Sequence, residues 1–181
     1  MTTTISSEAQ AALRALRRTR QIRDFRPDPV PKELLEELLE VARWSGSATN
    51  SQPWTFIVIR DSGTRTRLAE LAPNARHVAK APLVLAIAMS GEHPDWEAYD
   101  EGRAAERILV AATALGLGAG IGWVNPARRA AVAELLGIPE PGYVRTMISI
   151  GYPTAAASAP KSAPGEARKP LADLVRHERF G

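Results

Sequence analysis

The chain has 181 residues, of which 45% are hydrophobic and 24% are charged, and this length is sufficient for one domain with a sizeable core. The formal net charge is +3, although the sequence pI is about 9.6, and so small a net charge argues against a dedicated nucleic-acid-binding surface. The absence of cysteine excludes disulfides, thiolate catalysis and cysteine-based metal or iron–sulfur sites.

The apolar residues predict alternating helices and strands along the chain. Residues 8–19 are rich in Ala, Leu and Arg and predict a helix, and residues 31–44 carry one broad apolar face. Residues 90–98 are predicted to be a short polar connection. The other predicted helices are 63–71, 99–115 and 126–136, and the predicted strands are 55–59, 83–89, 119–124 and 145–150. Residues 83–89 are wholly apolar, as in a strand buried on both faces.

The two ends of the chain differ from its middle. The first eight residues are polar and lack the apolar core of a secretory signal, so we expect a cytoplasmic protein. The uncharged run 108–127 contains four glycines, and it predicts a buried helix leading into a strand rather than a membrane span. Residues 154–167 are rich in Ala, Pro and Ser and predict an extended arm. Residues 168–181 become apolar again, and we expect this tail to dock on its own domain or on a partner subunit.

Two polar segments are candidates for binding chemistry. Arg20, Gln21 and Arg23 lie close together, and two guanidinium groups can hold one phosphate dianion. Because other arginines lie nearby, a solvated basic surface explains this segment better when it is considered alone. The segment 47–54 offers hydroxyls and amides to a flat polar heterocycle, but alone it is better explained as an ordinary capped turn. The glycines of 116–122 do not fit a dinucleotide-binding fingerprint, because their spacing differs and they follow a helix.

The joint order of these segments resembles the nitroreductase family. An R-x-x-R-x-F segment at 20–25 is followed by a loop that ends N-x-Q-P-W at 50–54. The same order continues with Ala81-Pro82, Leu115-Gly116-Leu117-Gly118, Gly151-Tyr152-Pro153 and Arg168-Lys169-Pro170-Leu171. The resemblance therefore covers nearly the whole chain.

The resemblance implies a single α+β domain over residues 1–181, with a mixed central sheet flanked by helices and a C-terminal arm exchanged in a homodimer. It implies FMN as cofactor and NADH or NADPH as electron donor. Flavin N5 would carry the chemistry, so no catalytic side chain and no metal is expected. The expected function is electron transfer from NAD(P)H to a small organic acceptor, such as a nitroaromatic compound or a quinone, in a two-step exchange. The alternatives are a specialised flavin-dependent metabolite oxidase or dehalogenase, and a non-catalytic flavin-binding protein.

The resemblance also implies which residues contact the phosphate end of the cofactor. Arg20, Gln21 and Arg23 are expected at the FMN phosphate and ribityl chain, with Arg23 reaching toward the pyrimidine edge. Arg168 and Lys169 are expected to complete the phosphate site.

A second set of residues is expected around the flavin ring. Ser47, Ala48 and Asn50 are implied to contact the flavin of the partner subunit. The other implied contacts, from backbone near N5 and from polar side chains near O2, are Gly120, Ile121, Gly122, Asn74 and His77.

The chain also departs from the family pattern. Gly46 stands where a proline commonly precedes the first serine of the loop, and Thr19 stands where many members have arginine. The short 90–98 connection leaves little room for the helical excursion of larger members, so a more open pocket is expected. Its candidate stacking surfaces, each more often core or interface packing, are Trp44, Trp96, Tyr99 and Trp123.

Overall fold

A four-stranded sheet lies at the centre of the computed structural model, which describes residues 5–159 and 168–180. Its strands are β1 (Trp54–Ile59), β2 (Leu83–Met89), β3 (Gly118–Trp123) and β4 (Tyr143–Gly151). They lie in the order β1-β2-β4-β3, and every neighbouring pair is antiparallel. β2 and β4 are therefore the central strands, and β1 and β3 form the two edges.

The α+β class is confirmed, but the predicted mixed sheet is wrong for the strands of the described chain. The parallel pairing between described residues is one isolated bridge, between Gln21 and Ala119. A wholly apolar strand is typical of parallel sheets, whose faces are covered by helices. In this chain, helices cover both faces of an antiparallel sheet, so the apolar pattern of β2 does not reveal the strand direction.

Helices pack on both faces of the sheet. The α-helices of the described chain are α1 (Ser7–Arg18), α2 (Lys32–Arg43), α3 (Ser62–Leu71), α4 (Pro94–Ala114), α5 (Arg129–Leu136), α6 (Ala155–Ser158) and α7 (Leu171–Leu174). Short 3₁₀ segments are found at Ala48–Asn50, Pro73–Lys80 and Pro126–Arg128. α2 and α4 contribute to the core on one face, and α3 and α5 to the core on the other.

The central strand β2 separates these two cores. Leu83, Leu85 and Ile87 belong to the core under α2 and α4, whereas Val84 and Ala86 belong to the core under α3 and α5. All seven residues of β2 are buried, which follows from the alternation of side chains along a strand. The prediction of a strand buried on both faces is confirmed.

Helix α4 begins five residues earlier than predicted. Pro94 occupies its first turn, together with the acidic residues Asp95 and Glu97, and both features favour a helix N-terminus. The Glu97 carboxylate accepts a hydrogen bond from Ser90 Oγ at 2.6 Å and another from the Gly91 N–H at 3.1 Å. The polar connection predicted over 90–98 is therefore only the segment 90–93.

The C-terminal region differs from an extended arm where it is described. Residues Ala155–Ser158 form one helical turn, capped by the Thr154 hydroxyl, which accepts from the Ala157 N–H at 3.1 Å. The prediction of an extended arm is thus wrong for 155–158, and its part over 160–167 lies outside the described residues. The tail is exposed along 168–180. Within residues 5–159 and 168–180, no helix has the length and apolar character needed to cross a bilayer.

Candidate cofactor site

The segment around Gln21 lies along the open edge of β3. The Ile22 N–H donates to the Ala119 carbonyl oxygen at 2.8 Å, and the Ile121 N–H donates to Gln21 Oε1 at 2.6 Å. An edge strand presents backbone groups that its single neighbour strand leaves unpaired. Gln21 satisfies one of these groups with its side chain, and it thereby brings residues 20–25 beside a strand about a hundred positions later.

Two glycines of β3 allow this close approach. A Cβ on Gly120 would collide with the carbonyl oxygen of Ile22, and a Cβ on Gly122 would lie 2.6 Å from Cβ of Ala75. These glycines of β3 therefore serve close packing of the flanking segments against the strand. Ala75 belongs to the 3₁₀ segment Pro73–Lys80, so this segment and residues 20–25 flank the same stretch of β3.

Arg23 and His77 approach this stretch of backbone from the two flanking segments. Arg23 Nη2 donates to the Ile121 carbonyl at 3.4 Å, and His77 Nε2 lies 3.4 Å from the Gly120 carbonyl oxygen. Burial lowers the pKa of His77, the Gly120 carbonyl opposes this shift, and the positive charge of Arg23 adds to it. The site therefore combines a permanent cation with an imidazole whose pKa lies below its usual range.

The Gly120 carbonyl also accepts a hydrogen bond from Ser149 Oγ at 3.1 Å. Ser149 is fully buried in β4, and the sequence analysis did not identify it. The available signal was a serine between two isoleucines in the apolar half of a strand, since a buried hydroxyl requires a partner.

Arg20 is directed to the beginning of the C-terminal arm. Its guanidinium donates to the carbonyls of Ala157 and Ala159, each at 2.8 Å, and also to the carbonyl of Ser158. These carbonyls lie at the end of α6, where a helix leaves its last acceptors without intrahelical donors. Arg20 thus connects the segment 20–25 with the last described residues before 160.

The loop that contains Ser47, Ala48 and Asn50 lies elsewhere on the chain. The Ala48 N–H donates to Asp100 Oδ2 at 2.9 Å, so the loop rests on α4. It leads into β1, the edge of the sheet opposite to β3. With a strand spacing of about 4.8 Å, three spacings place the two edges about 14 Å apart. One chain therefore does not bring the loop and the segment 20–25 together.

The other predicted contacts are exposed. Asn74 lies in the same 3₁₀ segment as His77, three residues before it, and it is solvent-exposed. Arg168 and Lys169 lie in the exposed stretch before α7.

The four aromatic residues predicted as stacking surfaces are not core residues in this chain. Their exposed fractions are 66% for Trp44, 60% for Trp96, 79% for Tyr99 and 42% for Trp123. The rings of Trp96 and His93 are in tilted contact, with centroids 5.2 Å apart. Both residues line a cavity of about 720 Å³ beside the loop before β1. Their role in a substrate pocket stays a prediction.

The chain is similar to one group of proteins in both sequence and structure. A model of the nitroreductase family matches residues 16–86 and 72–152. Two archaeal relatives bear the name "Putative NADH dehydrogenase/NAD(P)H nitroreductase". The one from Methanothermobacter thermautotrophicus is 32% identical over 146 residues, which cover 78% of this chain and 76% of the relative. The one from Archaeoglobus fulgidus is 35% identical over 153 residues, which cover 80% of this chain and 86% of the relative. An FMN-dependent nitroreductase from Clostridium difficile superposes with a TM-score of 0.82 at 26% identity, covering 92% of this chain and 98% of that structure.

Proposed function

Since this chain belongs to the nitroreductase family, we propose that it passes electrons from NADH or NADPH to a small organic acceptor with FMN as its cofactor. The proposed acceptor is a nitroaromatic compound, a quinone or a similar molecule. The donor and the acceptor would use the same place in turn, in a two-step exchange. When bound, FMN supplies the redox chemistry at its N5 position. The observation that carries the proposal is the group of polar side chains on the open edge of β3.

The residues at this edge fit such a cofactor. Arg23 contributes a guanidinium, Gln21 a carboxamide and His77 an imidazole, and this donor set suits a phosphate group and a carbonyl-rich pyrimidine ring. Because Gly120 and Gly122 carry no side chain, the segments that bear Arg23 and His77 lie close against the backbone of β3, and a flat ring at this edge would meet both side chains. Arg23 would hold the pyrimidine edge and balance negative charge there.

Arg20 has the capacity to bind a phosphate in addition to its present partners. Its bonds to three main-chain carbonyls use two of its nitrogens, and a guanidinium has five N–H donors. Residues 168 and 169 follow the segment 154–167 in the chain, and Arg20 binds the beginning of that segment. We therefore place Arg20, Arg168 and Lys169 at the phosphate end of the site, and Asn74 beside His77 at the ring.

The two groups of proposed contacts require two subunits. Ser47, Ala48 and Asn50 lie on the loop that enters β1, whereas Arg23 and Gln21 lie at β3 on the opposite edge of the sheet. A homodimer allows the loop of one subunit to reach the flavin held by the other. Each site would then be completed by the second copy, in the symmetric manner typical of homodimers.

The same proposal covers the whole chain. Residues 1–181 would form one domain, whose tail 168–181 docks on the second subunit in an exchanged arrangement. In support, Leu171, Leu174 and Phe180 are 75%, 62% and 91% exposed on their own chain, and exposed apolar side chains favour a partner surface. The proposed location is the cytoplasm, where nicotinamide donors are available.

The visible spectrum of the purified protein tests the function. We expect the flavin absorption of bound FMN, its bleaching by NADH or NADPH without oxygen, and its return when a nitroaromatic compound or a quinone is added. A colourless protein that does not take up added FMN would refute the proposal. If the protein binds FMN but neither NADH nor NADPH reduces it, the protein is a flavin-binding protein and not an enzyme.

The control for this experiment compares two pairs of arginines. Arg20→Ala/Arg23→Ala is expected to weaken FMN binding at least about 100-fold, because each hydrogen bond to a charged group contributes about 1.5–3 kcal/mol. Arg17→Ala/Arg18→Ala removes the same charge from the exposed end of α1 and is expected to retain FMN. Equal retention by both double variants would contradict the phosphate assignment.

A further inference from the structure

The loop 46–52, here named the cofactor loop, carries three of the proposed flavin contacts and rests on the first half of α4. We propose that Asp100 and Arg103 form a positioning pair that sets the conformation of the cofactor loop, and that Gly46 provides the space that Arg103 occupies. The inference rests on the proposed function for the role of the loop at the flavin. The contacts that position the loop lie within one chain and do not depend on the proposed function.

Asp100 is a carboxylate inside the protein, with only 4% of the residue exposed. Its Oδ2 accepts the Ala48 N–H at 2.9 Å, and its Oδ1 lies 3.7 Å from Nη1 of Arg103. A buried carboxylate without such partners is strongly unfavourable, and a bond to an ionised acceptor is stronger than a neutral one. Among the described residues, the Ala48–Asp100 bond is the one hydrogen bond that joins the cofactor loop to another element.

The cofactor loop has a backbone that needs outside support. Thr49, Asn50 and Gln52 have φ angles of 52°, 59° and 49°. Residues with a Cβ rarely adopt this left-handed region, and a β-branched residue such as threonine does so least readily. Inside the loop, Ser47 Oγ accepts the Gln52 N–H at 2.8 Å. Conformations of this kind persist only where the surroundings fix them, so loss of the anchor on α4 would let the loop relax.

Gly46 lies where the guanidinium of Arg103 needs space. A Cβ built on Gly46 would collide with Nη2 of Arg103 and would lie 3.0 Å from its Cζ. Because the guanidinium is the far end of a flexible side chain, a methyl group at position 46 would displace it from Asp100 and leave the backbone in place. Substitutions of Gly46 and Arg103 thus act on the same interaction and are expected to be non-additive.

The positioning pair acts on one half of the proposed site. The cofactor loop lies at the β1 edge of the sheet, and the phosphate contacts Arg20 and Arg23 lie at the β3 edge. A relaxed loop is therefore expected to change the flavin spectrum and the acceptor step, while saturating FMN still fills the site through Arg20 and Arg23. A general loss of stability would instead lower FMN content together with every kinetic constant.

The test uses the FMN-loaded protein and its variants Asp100→Asn and Asp100→Ala. Asp95→Asn is the matched control, because Asp95 is an exposed carboxylate in the preceding part of the same helix. Amide hydrogen exchange over residues 46–52 is expected to be at least tenfold faster in Asp100→Ala, intermediate in Asp100→Asn and unchanged in Asp95→Asn. The KM for the acceptor is expected to rise at least fivefold in Asp100→Ala with unchanged FMN content.

A double-mutant cycle on Gly46 and Arg103 tests the second part of the proposal, which is that Gly46 provides the space that Arg103 occupies. Gly46→Ala and Arg103→Ala are each expected to speed loop exchange, and Gly46→Ala/Arg103→Ala is expected to be no faster than either. Additive effects, or parent-like loop exchange in the Asp100 variants, would overturn the proposal. If Asp100→Ala does not fold, Asp100→Asn and Gly46→Ala decide it. A protein that binds no FMN would refute the proposed function instead, and loop exchange, which needs no cofactor, would still test the pair.

Discussion

His77 lies beside the backbone of β3, where its Nε2 is 3.4 Å from the carbonyl oxygen of Gly120. Burial lowers its pKa, the Gly120 carbonyl opposes the shift, and the charge of Arg23 adds to it. A histidine with an ordinary pKa near 6.5 is already mostly neutral at pH 7, so a lowered pKa makes His77 neutral there. The permanent positive charge beside Gly120 and Ile121 is therefore that of Arg23.

The lowered pKa of His77 predicts an acid-sensitive fold. The unfolded chain binds a proton at His77 more readily than the folded chain, so the stability is expected to decrease as the pH falls below about 6.5. His77→Gln is expected to remove part of this decrease. The free energy of urea unfolding near pH 7.5 and near pH 5.5 measures the effect, with His177→Gln in the exposed tail as the control. The same pH dependence in His77→Gln and in the parent would contradict the lowered pKa.

At the residue scale, the sequence predicts contacts that a local motif carries and misses those that packing creates. Gln21, Arg23 and the backbone at 120–122 do come together, as the family resemblance implies, while their roles toward FMN stay predictions. Asp100 was missed because a carboxylate in the polar half of a helix resembles a solvated residue in sequence. Its burial depends on the cofactor loop, which folds onto α4 from about fifty residues earlier in the chain.

The end of helix α5 depends on a glycine. Gly137 follows Leu136 with φ 66°, and the N–H groups of Gly137 and Ile138 donate to Glu134 and Ala133 carbonyls at 3.1 and 2.9 Å. This left-handed closure satisfies carbonyls that the helix end leaves open. A Cβ at this position would meet no atom within 4 Å, so any cost of a side chain there is conformational.

Gly137→Ala is therefore expected to destabilise the protein by about 1 kcal/mol through backbone conformation alone. For a chain of this size, that corresponds to a decrease in Tm of roughly 2–4 °C. Gly137→Asn is the matched comparison, because asparagine tolerates the left-handed region better than alanine, and it is expected to cost less. Thermal unfolding of the three proteins measures the difference. Equal stability of the alanine variant and the parent would show that the closure is not needed.

At the element scale, apolar runs are predicted better than polar helix ends. β2 has the predicted limits Leu83–Met89, because a continuous apolar run bounded by Pro82 and a polar residue leaves little freedom. The start of α4 was placed at Tyr99 instead of Pro94, because its first turn contains proline and acidic residues that also occur in loops. The pairing direction of the strands could not be predicted from the sequence, because it depends on how the connecting helices cross the sheet.

Two apolar surfaces are uncovered in the part of the chain that the structure describes. An open groove of about 850 Å³ runs along the outer face of α4 and is lined by Leu16, Val41, Tyr99 and Val110 among others. Leu16 and Tyr99 are 53% and 79% exposed. The tail beyond residue 168 also exposes its apolar side chains to solvent. Extended exposed apolar surface marks an interaction site, and the proposed flavin site requires a second copy, so we assign the groove to the dimer interface.

A charge in this groove is expected to break the dimer and to weaken cofactor binding with it. In a two-fold interface, Val110→Glu replaces two apolar side chains of the contact with carboxylates that lose their water on association, at a cost of several kcal/mol, so dimer affinity is expected to fall at least about 100-fold. Val58→Glu is the matched control, because Val58 is 40% exposed on β1, outside the groove. Sedimentation velocity and FMN titration measure the two effects.

Monomeric Val110→Glu protein should bind FMN more weakly, since Arg20 and Arg23 remain but the cofactor loop of the second subunit is absent. A dimeric Val110→Glu protein would place the interface elsewhere, and a monomer with parental FMN affinity would show that one chain forms the whole site.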